Sequence, residues 1–266
     1  MSILLPLAAS LVASTPVAAQ PTYGAPLPSP RLAAIAQDAA VEPDPAWTGF
    51  VTVGATLTSG NTEIQSAAAN AEAVLDRGED RWTLRAYWNF SQQENQTTGE
   101  NEITQRQAGA SAKYDYFLSE RTYLYGTGAV STDEIAALDM RYQVGAGAGH
   151  QFWKEEKRSL SGEVGLSYVD EDFEVDADDD SFVAVRLAYD LFLQLSDTTA
   201  FRQIAEAFPS LENKDDIYGR LDSSLTVNLT KSMIGKLQHV MDYDNTPATG
   251  ADRLDHRLIL TIGWTF

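Results

Sequence analysis

The chain has no cysteine, which excludes disulfides and thiolate-held metal sites and leaves the compartment open. Positive charge is scarce: 19 Lys+Arg stand against 38 Asp+Glu, a formal net charge of −19 over 266 residues. A nucleic-acid partner is therefore not expected, because that function needs a basic footprint. Histidine is limited to His150, His239 and His256. Long apolar runs are missing as well. The nearest is residues 3–19, ILLPLAASLVASTPVAA, too short and too proline-interrupted to span a bilayer as a helix. These gaps argue against a helical membrane protein. They say nothing against a membrane β-barrel, whose signal is weak in each strand and lies in alternation.

The N-terminal run fits a secretion signal better than a span. Val17-Ala18-Ala19 before Gln20 satisfies the small-residue rule for cleavage, which makes 1–19 the expected signal peptide. The positively charged stretch that usually precedes such a run is missing, so the true start is expected upstream. Residues 20–46 are rich in Pro and Ala and read as a periplasmic lead-in, disordered or loosely helical. The folded part is expected from 47 to 266.

The last stretch sets the pattern. In RLDHRLILTIGWTF, Leu254, His256, Leu258, Leu260, Ile262, Trp264 and Phe266 share one face. The other face carries Arg253, Asp255, Arg257, Ile259, Thr261, Gly263 and Thr265. An apolar face ending in aromatics, backed by a charged and small one, suits a strand between lipid and a wet lumen. Eleven further segments precede it. Val51 to Leu57 alternate with threonines and lead to a Gly60-Asn61 turn, a hairpin signal, with a return strand over 63–76. Trp82, Leu84, Ala86, Trp88 and Phe90 define a third outward face, and strands at 103–118, 121–131, 141–152 and 158–170 follow. The cleanest alternation sets Val183, Val185, Leu187, Tyr189, Leu191 and Leu193 against Ala184, Arg186, Ala188, Asp190 and Gln194. Strands at about 199–208, 217–229 and 233–244 complete the set. Gly145, Gly147 and Gly149 fall on one inward face, which predicts crowding inside.

Twelve strands is an even number, as single-chain outer-membrane barrels require. Tight turns near 78, 119, 155, 197 and 231 alternate with longer polar loops, which places both barrel ends in the periplasm. The expected fold class is thus all-β: a transmembrane antiparallel barrel of about 12 strands, of outer-membrane type. A soluble β-sandwich binding module is the competing architecture.

Several pieces resemble one family. Trp47-Thr-Gly49 followed by Leu57-Thr-Ser-Gly-Asn-Thr62 is similar to the opening signature of the salt-induced outer-membrane protein family (YdiY-like), largely a domain of unknown function. Asp115-Tyr-Phe-Leu-Ser-Glu-Arg121, Asp139-Met-Arg141 leading to the glycine row, and the terminal Gly263-Trp-Thr-Phe266 also resemble it. The resemblance implies an outer-membrane location and a link to salt or osmotic stress. It implies neither substrate nor catalytic residues.

No Ser–His–Asp set emerges from spacing, and no cofactor or metal is expected. The acidic run 170–180 reads as a solvated loop, with a divalent-cation site as its functional alternative. The candidate lumen lining comprises Arg85, Lys113, Arg141, Arg186, Arg220, Lys236, Arg253 and Arg257, with Asp115, Glu163, Asp190, Asp222, Asp242 and Asp255 as partners. Two readings stay open: a charged pore wall that sets ion preference, or ion pairs that fill a closed barrel. Trp82, Trp88, Tyr114, Tyr116, Tyr142, Phe152, Tyr189, Trp264 and Phe266 are girdle candidates. The expected function is non-enzymatic, a narrow pore or an envelope-integrity barrel. A lipid-modifying enzyme of the outer membrane is the alternative. The expected partners are membrane lipids and lipopolysaccharide, and the barrel-assembly machinery through Phe266.

Overall fold

A computed structural model describes residues 46–58, 63–95, 98–135, 138–173, 180–213, 217–245 and 253–266. The expected signal peptide, nearly all of the lead-in, the Gly60-Asn61 turn and the middle of the acidic run lie outside the described residues. Twelve strands follow one another: β1 (Thr48–Thr58), β2 (Ile64–Asp76), β3 (Asp80–Glu94), β4 (Asn101–Phe117), β5 (Thr122–Asp133), β6 (Leu138–Lys154), β7 (Arg158–Phe173), β8 (Asp180–Gln194), β9 (Thr199–Pro209), β10 (Ile217–Asn228), β11 (Met233–Asp244) and β12 (Leu254–Thr265). Each pairs antiparallel with its neighbours in the chain, and β1 pairs with β12, so the sheet is a closed barrel. Closure leaves no open edge, the condition for a sheet to sit in hydrocarbon.

The alternation in sequence becomes an inside and an outside. On β12, Leu258 and Leu260 are 73% and 71% exposed while Thr261 is 3%. On β3, Trp82, Leu84 and Trp88 point out, and Arg81 and Thr83 are buried. The seam is the shortest described pairing. Four residue pairs, from Phe50↔Thr265 to Val53↔Ile262, join β1 to β12. Gly49 and Phe266 then exchange two backbone hydrogen bonds of 3.0 and 3.1 Å.

Tight turns have their own chemistry. Gly78 adopts a left-handed φ of 82° between β2 and β3, where a side chain would be strained. Beside it Arg77 grips the Asp80 carboxylate with Nε and Nη2 at 2.6 and 2.7 Å.

The interior has two apolar clusters. Phe50, Phe192, Ala200 and Ile234 lie toward the end where the barrel's first and last strands meet the tight turns. Val169, Phe182, Ala184, Phe208 and Tyr218 lie toward the other end. The glycine row is crowded as expected: a Cβ on Gly149 would come within 2.3 Å of the Tyr123 ring, and one on Gly147 within 2.7 Å of the Tyr125 hydroxyl. Both tyrosines turn inward and are buried.

Several boundaries differ from the sequence reading; β6, for one, runs from Leu138 to Lys154 rather than over 141–152. β5 and β7 continue to Asp133 and Phe173 rather than stopping at 131 and 170. In β7 the reason is an ion pair: Glu171 faces inward and pairs with Arg141 on β6 at 2.5 Å. That contact removes Glu171 from the solvated loop expected over the charge run.

Candidate functional site: the charged lumen

Between the two apolar clusters the lumen is filled by charged side chains on the inward faces. One network begins on β3, where Arg81 donates from Nε and Nη2 to Asp115 on β4 at 2.8 and 2.7 Å. Lys113 bridges Asp115 and Glu163. Glu163 on β7 also accepts from the Tyr123 hydroxyl at 2.7 Å and from Arg186 at 2.8 Å. Arg186 then grips Glu206 on β9 with Nε and Nη2. Lys113 and Arg186 lie over the Tyr125 ring at 5.0 and 5.2 Å, where the aromatic face adds attraction for a cation.

A second network crosses the barrel. Arg202 on β9 holds Asp190 through both ends of its fork, at 3.1 and 2.8 Å. It also reaches Glu72 on β2 at 3.2 Å. Glu72 is shared with Arg85 at 2.7 Å. A third network centres on Asp242, which pairs with Arg257 and, at 3.5 Å, with Arg220. It accepts from the Tyr218 hydroxyl at 2.5 Å. Arg257 also crosses to Gln107 on β4 at 3.2 Å, and Gln107 donates to Asp133 at 2.6 Å. Gln238 donates to Asp222 at 2.5 Å. Interior charges cost several kcal/mol each to desolvate, and only pairing and hydrogen bonding of this density offsets that.

Twelve of the fourteen lining candidates face this interior: Arg85, Lys113, Arg141, Arg186, Arg220, Lys236, Arg257, Asp115, Glu163, Asp190, Asp222 and Asp242. Arg253 does not. It is exposed on a bend before β12, which begins at Leu254, so period two no longer governs its direction. The Asp255 side chain lies outside the described residues. The sequence reading left out Glu72, Arg81, Asp133, Glu171, Arg202 and Glu206. Arg81 and Glu72 were recoverable by extending the alternation, since each neighbours a residue on the outward face. Arg202 and Glu206 were harder, because β9 mixes them on one face with Ala200, Ile204 and Phe208. With them the described interior holds nine cations (Arg81, Arg85, Lys113, Arg141, Arg186, Arg202, Arg220, Lys236, Arg257) and nine carboxylates (Glu72, Asp115, Asp133, Glu163, Glu171, Asp190, Glu206, Asp222, Asp242).

The histidines face outward. His150 Nδ1 is 2.9 Å from the Thr122 hydroxyl. His239 Nε2 is 3.1 Å from His256 Nδ1, and His239 stands opposite Ser223 in the β10–β11 register. Ser223 accepts from Gln203 at 3.0 Å, and Gln203 accepts from the Tyr189 hydroxyl at 2.8 Å. Among the described residues no group of three or more His, Asp or Glu is placed to hold a metal ion.

Closed by twelve antiparallel strands, apolar outside and charged within, the molecule has the architecture of a transmembrane β-barrel. The chain belongs to the DUF481 family of proteins of unknown function, whose model matches residues 51–266. No curated protein matches it. Among solved structures, it is similar to the translocator domain of the autotransporter NalP from Neisseria meningitidis, with 13% identity, 83% of this chain and 88% of that chain covered, and a TM-score of 0.47. It is similar to the NanC porin at 8% identity, 83% and 99% coverage and a TM-score of 0.48. The outer-membrane channel DcaP of Acinetobacter baumannii matches at 11% identity, 84% and 97% coverage and a TM-score of 0.42.

Proposed function

We propose that the protein is a non-enzymatic barrel of the bacterial outer membrane whose lumen is closed to solutes by its own ion pairs, a narrow ion path at most. One contact carries this reading. Arg202 on β9 meets Glu72 on β2, 130 residues earlier and five strands away around the ring, with both side chains under 8% exposed. A side chain that crosses the lumen to pair is an obstruction rather than a wall. The equal count of cations and carboxylates supports the same reading, because a balanced lining supplies little field for choosing an ion by sign.

The outward band of Leu, Ile, Val, Trp and Phe supports the membrane location, with lipids and lipopolysaccharide as its surroundings. The exposed terminal Phe266 suits recognition by the barrel-assembly machinery. The outward Ser223–His239–His256 row is a poor hydrolase. The strand N–H groups near Ser223 belong to the ladder, which leaves none to hold an oxyanion. A role in envelope integrity under salt or osmotic stress follows from the resemblance and is tested by growth and dye leakage of a deletion strain at high osmolarity.

The direct test of closure is the refolded protein in planar bilayers and in liposomes challenged with small sugars. No sugar-driven swelling and little or no steady conductance is the expected result. Large ohmic steps with sugar uptake would overturn the closed lumen.

A further inference from the structure

We propose that the middle of the lumen is a binding site for a small oxyanion of the phosphate class, held by Lys236, Arg85 and Arg220. The inference goes beyond the closed-barrel reading and does not depend on it. A cavity of about 70 Å³ lies there, lined by five cationic side chains but only two carboxylates, Glu72 and Asp222. The interior as a whole is balanced in charge, yet its cations are concentrated around this cavity.

The donors that face it are not fully used. Lys236 is 9% exposed, and among the described residues no carboxylate lies within ion-pairing distance of its ammonium group. Its near contact is the Phe50 ring, 5.2 Å from Nζ to the centroid. Arg85 donates from Nε to Glu72 at 2.8 Å; its Nη2 lies 2.7 Å from the same carboxylate without making a hydrogen bond, and its buried Nη1 has no acceptor. Arg220 reaches Asp242 only at 3.5 Å, and its buried Nε also has no acceptor. The carboxylates are oversubscribed. Glu72 serves Arg85 and Arg202, Asp242 serves Arg257 and Arg220, and Asp222 already accepts from Gln238.

A buried cation without a counter-charge is costly, and so is a buried N–H without an acceptor. One tetrahedral oxyanion answers both. It brings the missing negative charge, and several acceptor oxygens that an ammonium group and two guanidinium edges can share. A halide would supply charge but leave the guanidinium geometry unused. The cavity has room for several water-sized groups, since each needs roughly 10–15 Å³ of such volume. That suits inorganic phosphate and excludes the body of a sugar phosphate unless the lumen widens.

The experiment is calorimetric titration of the detergent-refolded full chain with inorganic phosphate, and separately with a hexose phosphate, at low ionic strength. Saturable binding of inorganic phosphate is expected, at least tenfold weaker in Lys236→Gln and in Arg85→Gln. The hexose phosphate is expected to bind more weakly or not at all. Phosphate should also raise the unfolding temperature of the wild type, and raise that of Lys236→Gln less at the same concentration. Without phosphate, Lys236→Met should unfold no earlier than the wild type, which separates a lost ligand from a lost fold. No saturable phosphate binding by the wild type, or equal affinity in all variants, would overturn the site. A barrel that conducts freely yet binds phosphate would sink the closed lumen and leave the site standing. A silent barrel that ignores phosphate would do the reverse.

Discussion

Glu163 accepts from three donors, Lys113, Tyr123 and Arg186, each on a different strand. Removing its charge takes one of two counter-charges from each of two buried cations, which keep Asp115 and Glu206; breaking a buried pair from one side costs up to about 3–5 kcal/mol. Glu134 offers the control. Its pair with Arg106 is short, 2.6 Å, but both side chains are almost half exposed, and such pairs are worth about 0–1 kcal/mol. Glu163→Gln should therefore unfold at a clearly lower denaturant concentration than wild type, and Glu134→Gln should be indistinguishable from it. Equal midpoints for the two variants would mean that the interior network is not a source of stability. Gly149 is a second residue-scale test. A side chain there runs into the fully buried Tyr123 ring, so Gly149→Val should cost about 1–3 kcal/mol by overpacking. The Tyr123→Ala background should recover part of that loss, measured by the temperature at which the compact gel band disappears. At this scale the sequence showed which charges face inward wherever a strand alternated cleanly, as in β8. It could not show who pairs with whom, because Glu72–Arg202 and Gln107–Arg257 join residues 130 and 150 apart whose meeting depends on closure.

The elements differ in how firmly they are joined. β1 and β2 share eleven residue pairs, from Thr48↔Val74 to Thr58↔Ile64, whereas β1 and β12 share the four from Phe50↔Thr265 to Val53↔Ile262. Tight packing compensates locally: a Cβ on Gly263 would come within 2.0 Å of the Val51 carbonyl oxygen. The seam is still the place where the barrel opens first, and its amides should exchange faster than those of the β1–β2 ladder. The absence of native cysteine allows a clean test. Val53 and Ile262 are directly opposed on antiparallel strands, at the roughly 4.5–5.5 Å Cα spacing that a disulfide accepts. The oxidised Val53→Cys/Ile262→Cys variant should keep its compact gel mobility on heating and lose that resistance on reduction. Failure to cross-link would put the seam register in doubt. The strands themselves were legible because period two survives from β1 to β12 and because tight turns punctuate it. The ends of β5 and β7 were not, since what prolongs β7 is a cross-strand ion pair between Arg141 and Glu171, outside any local pattern.

For the whole molecule, the balance of nine cations and nine carboxylates in the described interior means that the entire formal charge of −19 belongs to the rest of the chain. The lumen is thus balanced in charge and interlocked, and closure should depend on the bulk of the crossing side chains as well as on their charge. These contributions can be taken apart at the Glu72–Arg202 contact. Replacing both by Met keeps the volume, discards two desolvated charges and leaves a lumen that is still filled. The exchange also takes Glu72 from Arg85 and Arg202 from Asp190, so the Met pair should be less stable than the wild type while still filling the lumen. Replacing both by Ala removes the obstruction from β2 and β9 together. In planar bilayers the Met pair should stay as quiet as the wild type, and the Ala pair should show steady conductance. Arg85 and Asp190 would then lose Glu72 and Arg202 together, a change balanced in charge, so the opened lumen should show no strong preference by sign, read as a reversal potential near zero across a salt gradient. Conductance in the Met pair would mean that the charges themselves hold the lumen shut. Silence in both variants would place the obstruction elsewhere, with the apolar cluster of Phe50, Phe192, Ala200 and Ile234 the next segment of the lumen to open.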